Sequence, residues 1–528
     1  MDIRDKIAQG RTALGIELGS TRIKATLIDD TLSPVAGGAH EWENRLENGY
    51  WTYSLESIDK GIKSAYAALK KDVFEKYGVK LNRIGAIGIS AMMHGYMAFD
   101  ENDSLLVPFR TWRNTTTSRA AGELSEAFRF NIPERWSIAH LYQAILDGEE
   151  HLLRIAHLTT LAGYIHFTLT GRRVLGVGEA SGMFPINGRS YDKEMLDAFD
   201  KLAKSKGFEK KLGDILPDVL FAGDNAGELT EAGARYLDAS GELLSGAPLC
   251  PPEGDAGTGM TATNSVRPLT GNVSAGTSVF AMLVLDKPLK GCYPQIDIVT
   301  TPDGSPVAMV HCNNCCSELD AWVKLFYEFA KLSGNDMTKD SIYDLLYKNT
   351  LNADDDCGGV CAFNFLSGEP VAGISEGRPM YFRLPDSKMN LANFFKAELY
   401  SSVAALKMGM DILFKNEGIR ADSFTGHGGL FKTEGVAQKY LSDALDTPVS
   451  VMTTAGEGGS YGIALLAAFM LHGGGKSLAD WLDCEVFDKA EIKTVTPDAD
   501  GAKGFDEYIK RYTKALDAAR MLGDVKNA

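Results

Sequence analysis

Short apolar stretches recur along the chain, and small or polar residues interrupt them at regular places. Residues 14–28 read as an apolar strand, a Gly19-Ser20-Thr21 turn and a second apolar strand. Between Leu55 and Tyr77, the residues Ile58, Ile62, Ala65, Ala68 and Leu69 fall at helical spacing and predict an amphipathic helix. Residues 84–90 carry no charge, as a central strand covered by helices should. That strand delivers Met92-Met93-His94-Gly95 at its carboxyl end, and 96–99 predict the next strand. Residues 118–170 and 192–244 are mostly helical in pattern. A second strand–turn–strand unit follows around Gly276-Thr277-Ser278, then a strand and turn at 307–316 and a helix from about Glu318. A long helix is expected over 390–415, a strand ending in a Gly turn from Ser423, and a helix from there to about Asp446. The strand 448–452 and a small-residue helix over 462–471 complete the pattern. Beyond Gly475 the chain turns charged and helical and is expected to pack as an outer appendix. The alternation is that of an α/β protein.

The mid-chain stretch Pro251-Pro-Glu-Gly-Asp-Ala-Gly-Thr-Gly-Met260 carries the first candidate chemistry. Asp255 stands in a run of Gly and small residues that reads as a loop. Such a loop leaves the carboxylate uncovered and backbone N–H groups free to face a ligand. The hairpin that follows offers the amides and hydroxyls of Gly276, Thr277 and Ser278 to an anion. A bare carboxylate beside a phosphate cradle suits a general base acting on a hydroxyl that attacks a phosphoryl group. A surface loop that happens to carry an Asp is the plainer alternative. The N-terminal hairpin has the same grammar, and aligning residues 19–21 with 276–278 gives an internal repeat half a chain long. A duplicated domain follows, with each lobe offering a hairpin to one nucleotide in a shared cleft.

With 528 residues and 45% hydrophobic content the chain can bury two substantial cores. A net charge of -16 argues against a nucleic-acid or anionic-membrane partner. Charges occupy the first residues, and no apolar run reaches the length of a membrane span, so a soluble, cytoplasmic protein is expected. Eight cysteines suit a reducing compartment. Cys312, Cys315 and Cys316 lie close together, as do Cys357 and Cys361. No Cys-x-x-Cys pair recurs at zinc-finger spacing, so free, largely buried thiols are the preferred reading over a zinc site.

In this order and spacing, the motifs resemble those of the FGGY carbohydrate kinases, within the actin and sugar-kinase ATPase superfamily. The matching features are residues 15–24, Gly88-Ile-Ser-Ala-Met-Met-His-Gly95, Leu169-Thr-Gly171, Gly254-Asp255, Gly276-Thr-Ser278, Gly428-Gly429 and residues 462–467. The resemblance implies two duplicated actin-like ATPase (ribonuclease H-like) lobes with a cleft between them. Residues 1–12 would be a lead-in, 13–266 the sugar-binding lobe, 267–475 the nucleotide-binding lobe and 476–528 a helical appendix.

It further implies ATP and Mg²⁺ as cofactors and Asp255 as catalytic base. Met93, His94, Trp112 and Gly254 would meet the sugar together with Asp255. Gly19, Ser20 and Thr21 would line the phosphates from one lobe, and Gly276, Thr277 and Ser278 from the other. Gly428 and Gly429, at a helix N-terminus, would suit the adenosine and phosphates. Mg²⁺ would be held mainly by phosphate oxygens and water, with Glu17 and Asp255 as the nearby carboxylates. Two residues depart from the family pattern: Glu17 stands where relatives usually carry Asp, and Asn114 replaces a common acid.

The implied activity is phosphorylation of a small sugar, a ketopentose such as xylulose first. Kinases for ribulose, rhamnulose, gluconate or a polyol such as erythritol are the alternatives within the class. A non-catalytic sugar or nucleotide sensor is the alternative outside it, and the retained Asp255 argues against that. An actin-like or chaperone-like ATPase is disfavoured by Met93-His94 and Gly254-Asp255. The expected partner is a small molecule, with neither nucleic acid nor membrane, and a homodimer is left open.

Overall fold

The computed structural model describes residues 1–452 and 458–523. The chain forms two compact units. The first takes residues 1–266, 292–307 and 458–489; the second takes 267–291, 308–452 and 490–523.

The sheet of the first unit contains β1 (Thr12–Leu18), β2 (Arg22–Asp29), β3 (Pro34–Glu41), β4 (Ala86–Ala91) and β5 (Glu253–Gly254), in the order β5-β4-β1-β2-β3. β1 and β2 form an antiparallel hairpin, while β4 runs parallel to β1 and β5 parallel to β4. The three parallel strands therefore end at one edge of the sheet. Their register sets Glu17, Ser90 and Glu253 in one row, and Leu18, Ala91 and Gly254 in the next.

Alternation along β1 decides what each face meets. Leu14, Ile16 and Leu18 join one buried cluster with Ile58, Ile62, Ala65 and Leu69 of the helix Leu55–Tyr77. That helix occupies the predicted span. Ser54 caps its start by accepting the Ser57 N–H, and Gly78, in the left-handed region (φ 67°), ends it. Gly15 and Glu17 face the other way, towards the helix Gly459–His472. A Cβ on Gly15 would lie 2.0 Å from Ser460 O, and one on Gly88 would lie 2.6 Å from Ile463 O, so this helix lies directly on strand backbone. Gly462 of the same helix meets a second helix, Asp255–Ala262, where a Cβ would come within 1.9 Å of Thr258 O.

The second unit repeats the connection pattern. β6 (Thr270–Ala275), β7 (Val279–Val284), β8 (Pro306–Cys312), β9 (Ser423–His427), β10 (Val449–Met452) and β11 (Ile492–Val495) lie in the order β8-β7-β6-β9-β10-β11. β6 and β7 are an antiparallel hairpin, β9 runs parallel to β6, and β10 runs parallel to β9. The helix Leu391–Asp411, capped by Asn390, is buried nearly all round and forms the centre of this unit.

The contiguous division expected from the sequence needs three corrections. Residues 292–307 belong to the first unit. Residues 459–472 fold with the first unit, because their small side chains fit against its sheet. The segment beyond 475 is no outer appendix. Its strand β11 pairs antiparallel with β10, and its helix Ala499–Gly523 buries Phe505, Tyr508 and Tyr512, with the Tyr508 hydroxyl donating to Ala362 O and Ala397 O (both 3.1 Å). The predicted helix from about residue 430 is a 3₁₀ turn, Gly429–Phe431, with the helix proper at Val436–Leu445. Of residues 455–460, expected to open the helix at 462–471, residues 455–457 lie outside the described residues.

The close contacts at Gly462 give the first prediction. Gly462→Ala should destabilise the protein by about 2 kcal/mol or more, since its new methyl meets backbone that cannot swing away. Gly122→Ala, in the helix Ser118–Phe128 with nothing within 4 Å of the added carbon, should instead stabilise by roughly 0.5–1 kcal/mol. Urea denaturation of both variants reads the difference; coincident midpoints would show that the helix contact has slack.

Candidate active site

Asp255 follows directly on β5, beside the carboxyl end of β4, and is the first residue of the helix Asp255–Ala262. The loop expected here is thus a helix. Thr258, Thr261 and Thr263 bond back to carbonyls one turn earlier, and the glycines let neighbouring backbone close in where side chains would stand. Its carboxylate is half-buried rather than bare, and Oδ1 accepts the Met93 N–H (3.1 Å). Burial pushes its pKa up to about 6, against the pull of the N–H groups of Met93, Ala256 and Asp255 itself.

Glu17 lies near the end of β1 with its carboxylate against Gly459, at the start of the helix Gly459–His472. Burial raises its pKa to about 7, and the charge of Asp255 adds to the rise. Lys24, opposite it in the hairpin, and the Ser460 N–H oppose it. Two further carboxylates that the sequence reading passed over stand behind them. Glu253 accepts the N–H groups of Gly178 (3.3 Å) and Glu179 (2.8 Å), and burial pushes its pKa up to about 8. Glu179 is fully buried against Gly254, and its pKa is raised well above the usual carboxylate range, by burial first and then by its acidic neighbours. In the sequence only its nearness to Gly254-Asp255 marked Glu253, and Glu179 had no motif of its own.

Met93 and His94 are nearly buried and pack against Gly182, with His94 Nδ1 donating to Gly182 O (3.0 Å). His94 holds a left-handed φ of 68°, followed by Gly95 at 90°, which turns the chain sharply after β4. Met93 also fills the space that a side chain at Gly254 would need, its Cγ lying 2.2 Å from that position. The structure therefore brings Glu17, Met93, His94, Gly254 and Asp255 to one sheet edge. Trp112 is half-buried on the margin of the unit's core.

The Gly19–Thr21 turn is held from behind. Trp42 Nε1 donates to Gly19 O (2.7 Å), the Tyr53 hydroxyl to Ser20 O (2.5 Å) and the Trp42 N–H to Thr21 O (3.2 Å). Trp42 and Tyr53 stack with ring centres 4.1 Å apart. In the second unit the corresponding turn is held by backbone alone. The Cys315 N–H donates to Thr277 O (2.9 Å), the Cys316 N–H to Gly276 O (3.0 Å) and the Gly276 N–H to Ser278 O (2.9 Å).

Gly276, Thr277 and Gly429 open on a cleft of about 630 Å³, lined also by Asp320, Asp344 and Lys432. Ser278 and Gly428 do not line it. Gly428 (φ 103°) is required because a Cβ there would stand 2.3 Å from Ala275 O.

Residues 12–240 match the N-terminal domain of the FGGY family of carbohydrate kinases, and residues 271–471 its C-terminal domain. The chain belongs to the FGGY family. It is a carbohydrate kinase, and the FGGY kinases take their phosphate from ATP. A xylulose kinase of Haemophilus influenzae is 22% identical over 528 residues, covering 95% of this chain and 99% of its own. Among solved structures, a xyloylose kinase from Brucella ovis superposes with a TM-score of 0.77 at 20% identity, covering 97% of this chain and 100% of the other. A gluconate kinase from Lactobacillus acidophilus gives 0.77 at 17% identity (97% and 99%), and a Plasmodium falciparum glycerol kinase with ADP gives 0.74 at 16% (96% and 98%). These likenesses establish the two-domain, actin-like α/β fold.

One departure of this FGGY kinase from its relatives has a structural explanation. The buried Asn114 amide donates to Trp51 O and Thr111 O (both 2.9 Å) and accepts the Trp51 N–H (2.8 Å), so every polar atom is engaged in holding the strand Tyr50–Thr52. A carboxylate has no donors and would face both carbonyls. Asn114→Asp should therefore lower stability by about 2–3 kcal/mol at neutral pH. Thermal unfolding measures it, and an unchanged Tm would show that the amide is dispensable.

Proposed function

We propose that this kinase phosphorylates a hydroxyl of a small sugar with Asp255 as general base, and that its first candidate substrate is a ketopentose such as xylulose. The observation that carries the reading is the Asp255 carboxylate, at the carboxyl end of three parallel strands, bonded to the Met93 N–H and with its pKa pushed up to about 6. A base whose pKa lies near working pH is both deprotonated and basic enough to take a hydroxyl proton. Met93, His94, Gly254 and Trp112 would form the sugar side. Support for xylulose comes from the curated relatives, xylulose kinases of Haemophilus influenzae and Lactococcus lactis. Gluconate, glycerol and other polyols are the alternatives that the same fold accommodates.

In the second unit, Gly276, Thr277 and Gly429 would receive the nucleotide, with Ser278 and Gly428 shaping the backbone around them. In the first unit, Gly19, Ser20 and Thr21 would offer the corresponding turn donors to a phosphate. Glu17 and Asp255 fit a Mg²⁺ ion, being hard oxygen donors close enough for the charge of one to raise the pKa of the other. Among the described residues no group of three metal-ligating side chains exists, so phosphate oxygens and water would complete the shell. The ion would supply charge neutralisation on the transferring phosphoryl group. No described helix is long and apolar enough to cross a membrane, and with eight free cysteines this favours the cytoplasm as the working compartment.

Two measurements test this reading. Asp255→Asn keeps the shape but cannot take a proton, so sugar binding should survive while kcat falls by roughly 10²–10⁴. The wild-type kcat/KM should rise with pH through about 6, because only the deprotonated Asp255 is active. An Asn variant within a few-fold of wild type on its best sugar, found in a panel of ketoses, aldoses and polyols, would move the base elsewhere. For the metal, Glu17→Gln should raise the Mg²⁺ concentration needed for half-maximal rate with little change in sugar affinity. Collapse of sugar affinity at an unchanged metal requirement would assign Glu17 to the sugar instead.

A further inference from the structure

Cys315 and Cys316 are neighbours in space as well as in sequence, with their Sγ atoms 3.6 Å apart. Both thiols are free. Cys315 is buried, whereas Cys316 lines the cleft beside Gly276 and Thr277. The same two residues hold the turn at that cleft, through their N–H groups on Thr277 O and Gly276 O. A reagent entering the cleft meets Cys316 first. Any rotation of the peptide between the two cysteines is passed to the turn, since that peptide carries the N–H bonded to Gly276 O.

We propose that Cys315 and Cys316 form a peroxide-modifiable dithiol site, whose oxidation to a vicinal disulfide releases the Gly276–Ser278 turn and weakens nucleotide binding. The effect on binding rests on the nucleotide site proposed above; the modification itself does not.

The chemistry balances with hydrogen peroxide as oxidant. The Cys316 thiolate attacks one peroxide oxygen and the O–O bond breaks, leaving a sulfenic acid and a hydroxide that collects a proton to become water. The Cys315 sulfur then attacks the sulfenic sulfur. The S–S bond forms, the S–O bond breaks, and the departing hydroxide takes up the Cys315 proton as a second water. Two thiols lose two electrons and two protons, and one peroxide becomes two waters.

Order of attack follows access. The hydrogen bond with Cys316, together with burial, pushes the Cys315 thiol pKa up, so Cys316, on the cleft, attacks first and Cys315 follows, giving up its proton as it attacks. A trans peptide spaces neighbouring Cα atoms by about 3.8 Å. Disulfides usually take roughly 4.4–6.8 Å, a span that a single peptide does not reach, so the ring closes only by distorting the peptide between the two cysteines. Bonds of this strained, accessible kind are the readily reduced ones, so the change should reverse with thiol reductant. Cys312, at the end of β8, is the competing partner.

The test exposes the purified protein to a few equivalents of hydrogen peroxide. Peptide mapping by mass spectrometry and calorimetric titration with ATP are run before treatment, after it, and after reduction. The expected product has lost about 2 Da, located at residues 315–316. Its ATP affinity should be lower by about tenfold or more and recover on reduction. Cys315→Ala and Cys316→Ala, each compared with its own untreated form, should show neither the bond nor the loss of affinity; Cys312→Ala should show both. A bond that includes Cys312, oxidation of Cys316 without a bond, or a 315–316 bond with unaltered affinity would overturn the proposal. If the untreated protein binds no ATP, the proposed nucleotide site fails by itself. Amide exchange at 276–278 then decides the inference: faster exchange after oxidation upholds it and unchanged exchange refutes it.

Discussion

Where the helix Gly459–His472 lies on the first sheet, backbone meets backbone. Gly15 and Gly88 leave the strands bare under it, and Gly462 brings it onto the helix that begins at Asp255. Interiors are packed as densely as organic crystals, so three elements that close together have few ways to shift independently. The contact fixes the depth at which Asp255 starts its helix and the distance at which Glu17 meets Gly459. It also explains why residues far along the chain belong to the first unit. A side chain at any of these glycines would separate the layers that set the site's geometry.

That packing also creates the electrostatics. Glu17, Glu179, Glu253 and Asp255 are carboxylates gathered at one end of a sheet, each with its pKa raised chiefly by burial. Removing charges from water is costly, and proteins offset it with hydrogen bonds, opposite charges or protonation. All three are in use here. Glu253 takes two backbone N–H groups, Glu17 faces Lys24, and Glu179, with its pKa raised well above the usual carboxylate range, is pushed towards protonation. At Asp255 the Met93 N–H and the first turn of its own helix favour the anion and oppose the rise.

The two hairpin turns at 19–21 and 276–278 show how a duplicated device can be supported differently. In the first unit the stacked pair Trp42 and Tyr53 reaches the turn carbonyls through side chains. In the second, backbone N–H groups of Cys315 and Cys316 perform the same task. Engaging carbonyls from behind stiffens a Gly-containing turn that would otherwise be among the most mobile parts of the chain. The difference makes the second turn sensitive to its backbone neighbours and the first to its aromatic ones.

The hairpin strands β1, β2, β6 and β7 with their turns at 19–21 and 276–278, the strands β4, β8, β9 and β10, and the helix Leu55–Tyr77 were legible in the sequence, because each rests on local periodicity or on residues needed at a turn. So was the duplication, since both halves repeat one strand–turn–strand grammar. What stayed hidden depended on partners distant in the chain. Glycine-rich residues 255–262 become helical because surrounding backbone needs the space their side chains would fill, which no local propensity records. Asn114 looked like a change in a binding site and is a clamp on Trp51, sixty-three residues away. Glu179 and Glu253 carry no motif of their own; only folding places them together beside Asp255. The last fifty residues read as an outer addition because their charged face dominates the pattern, yet Tyr508 and Tyr512 close the second core. Local chemistry determines the elements and their turns, and long-range burial decides which of their polar groups end up sharing one small volume.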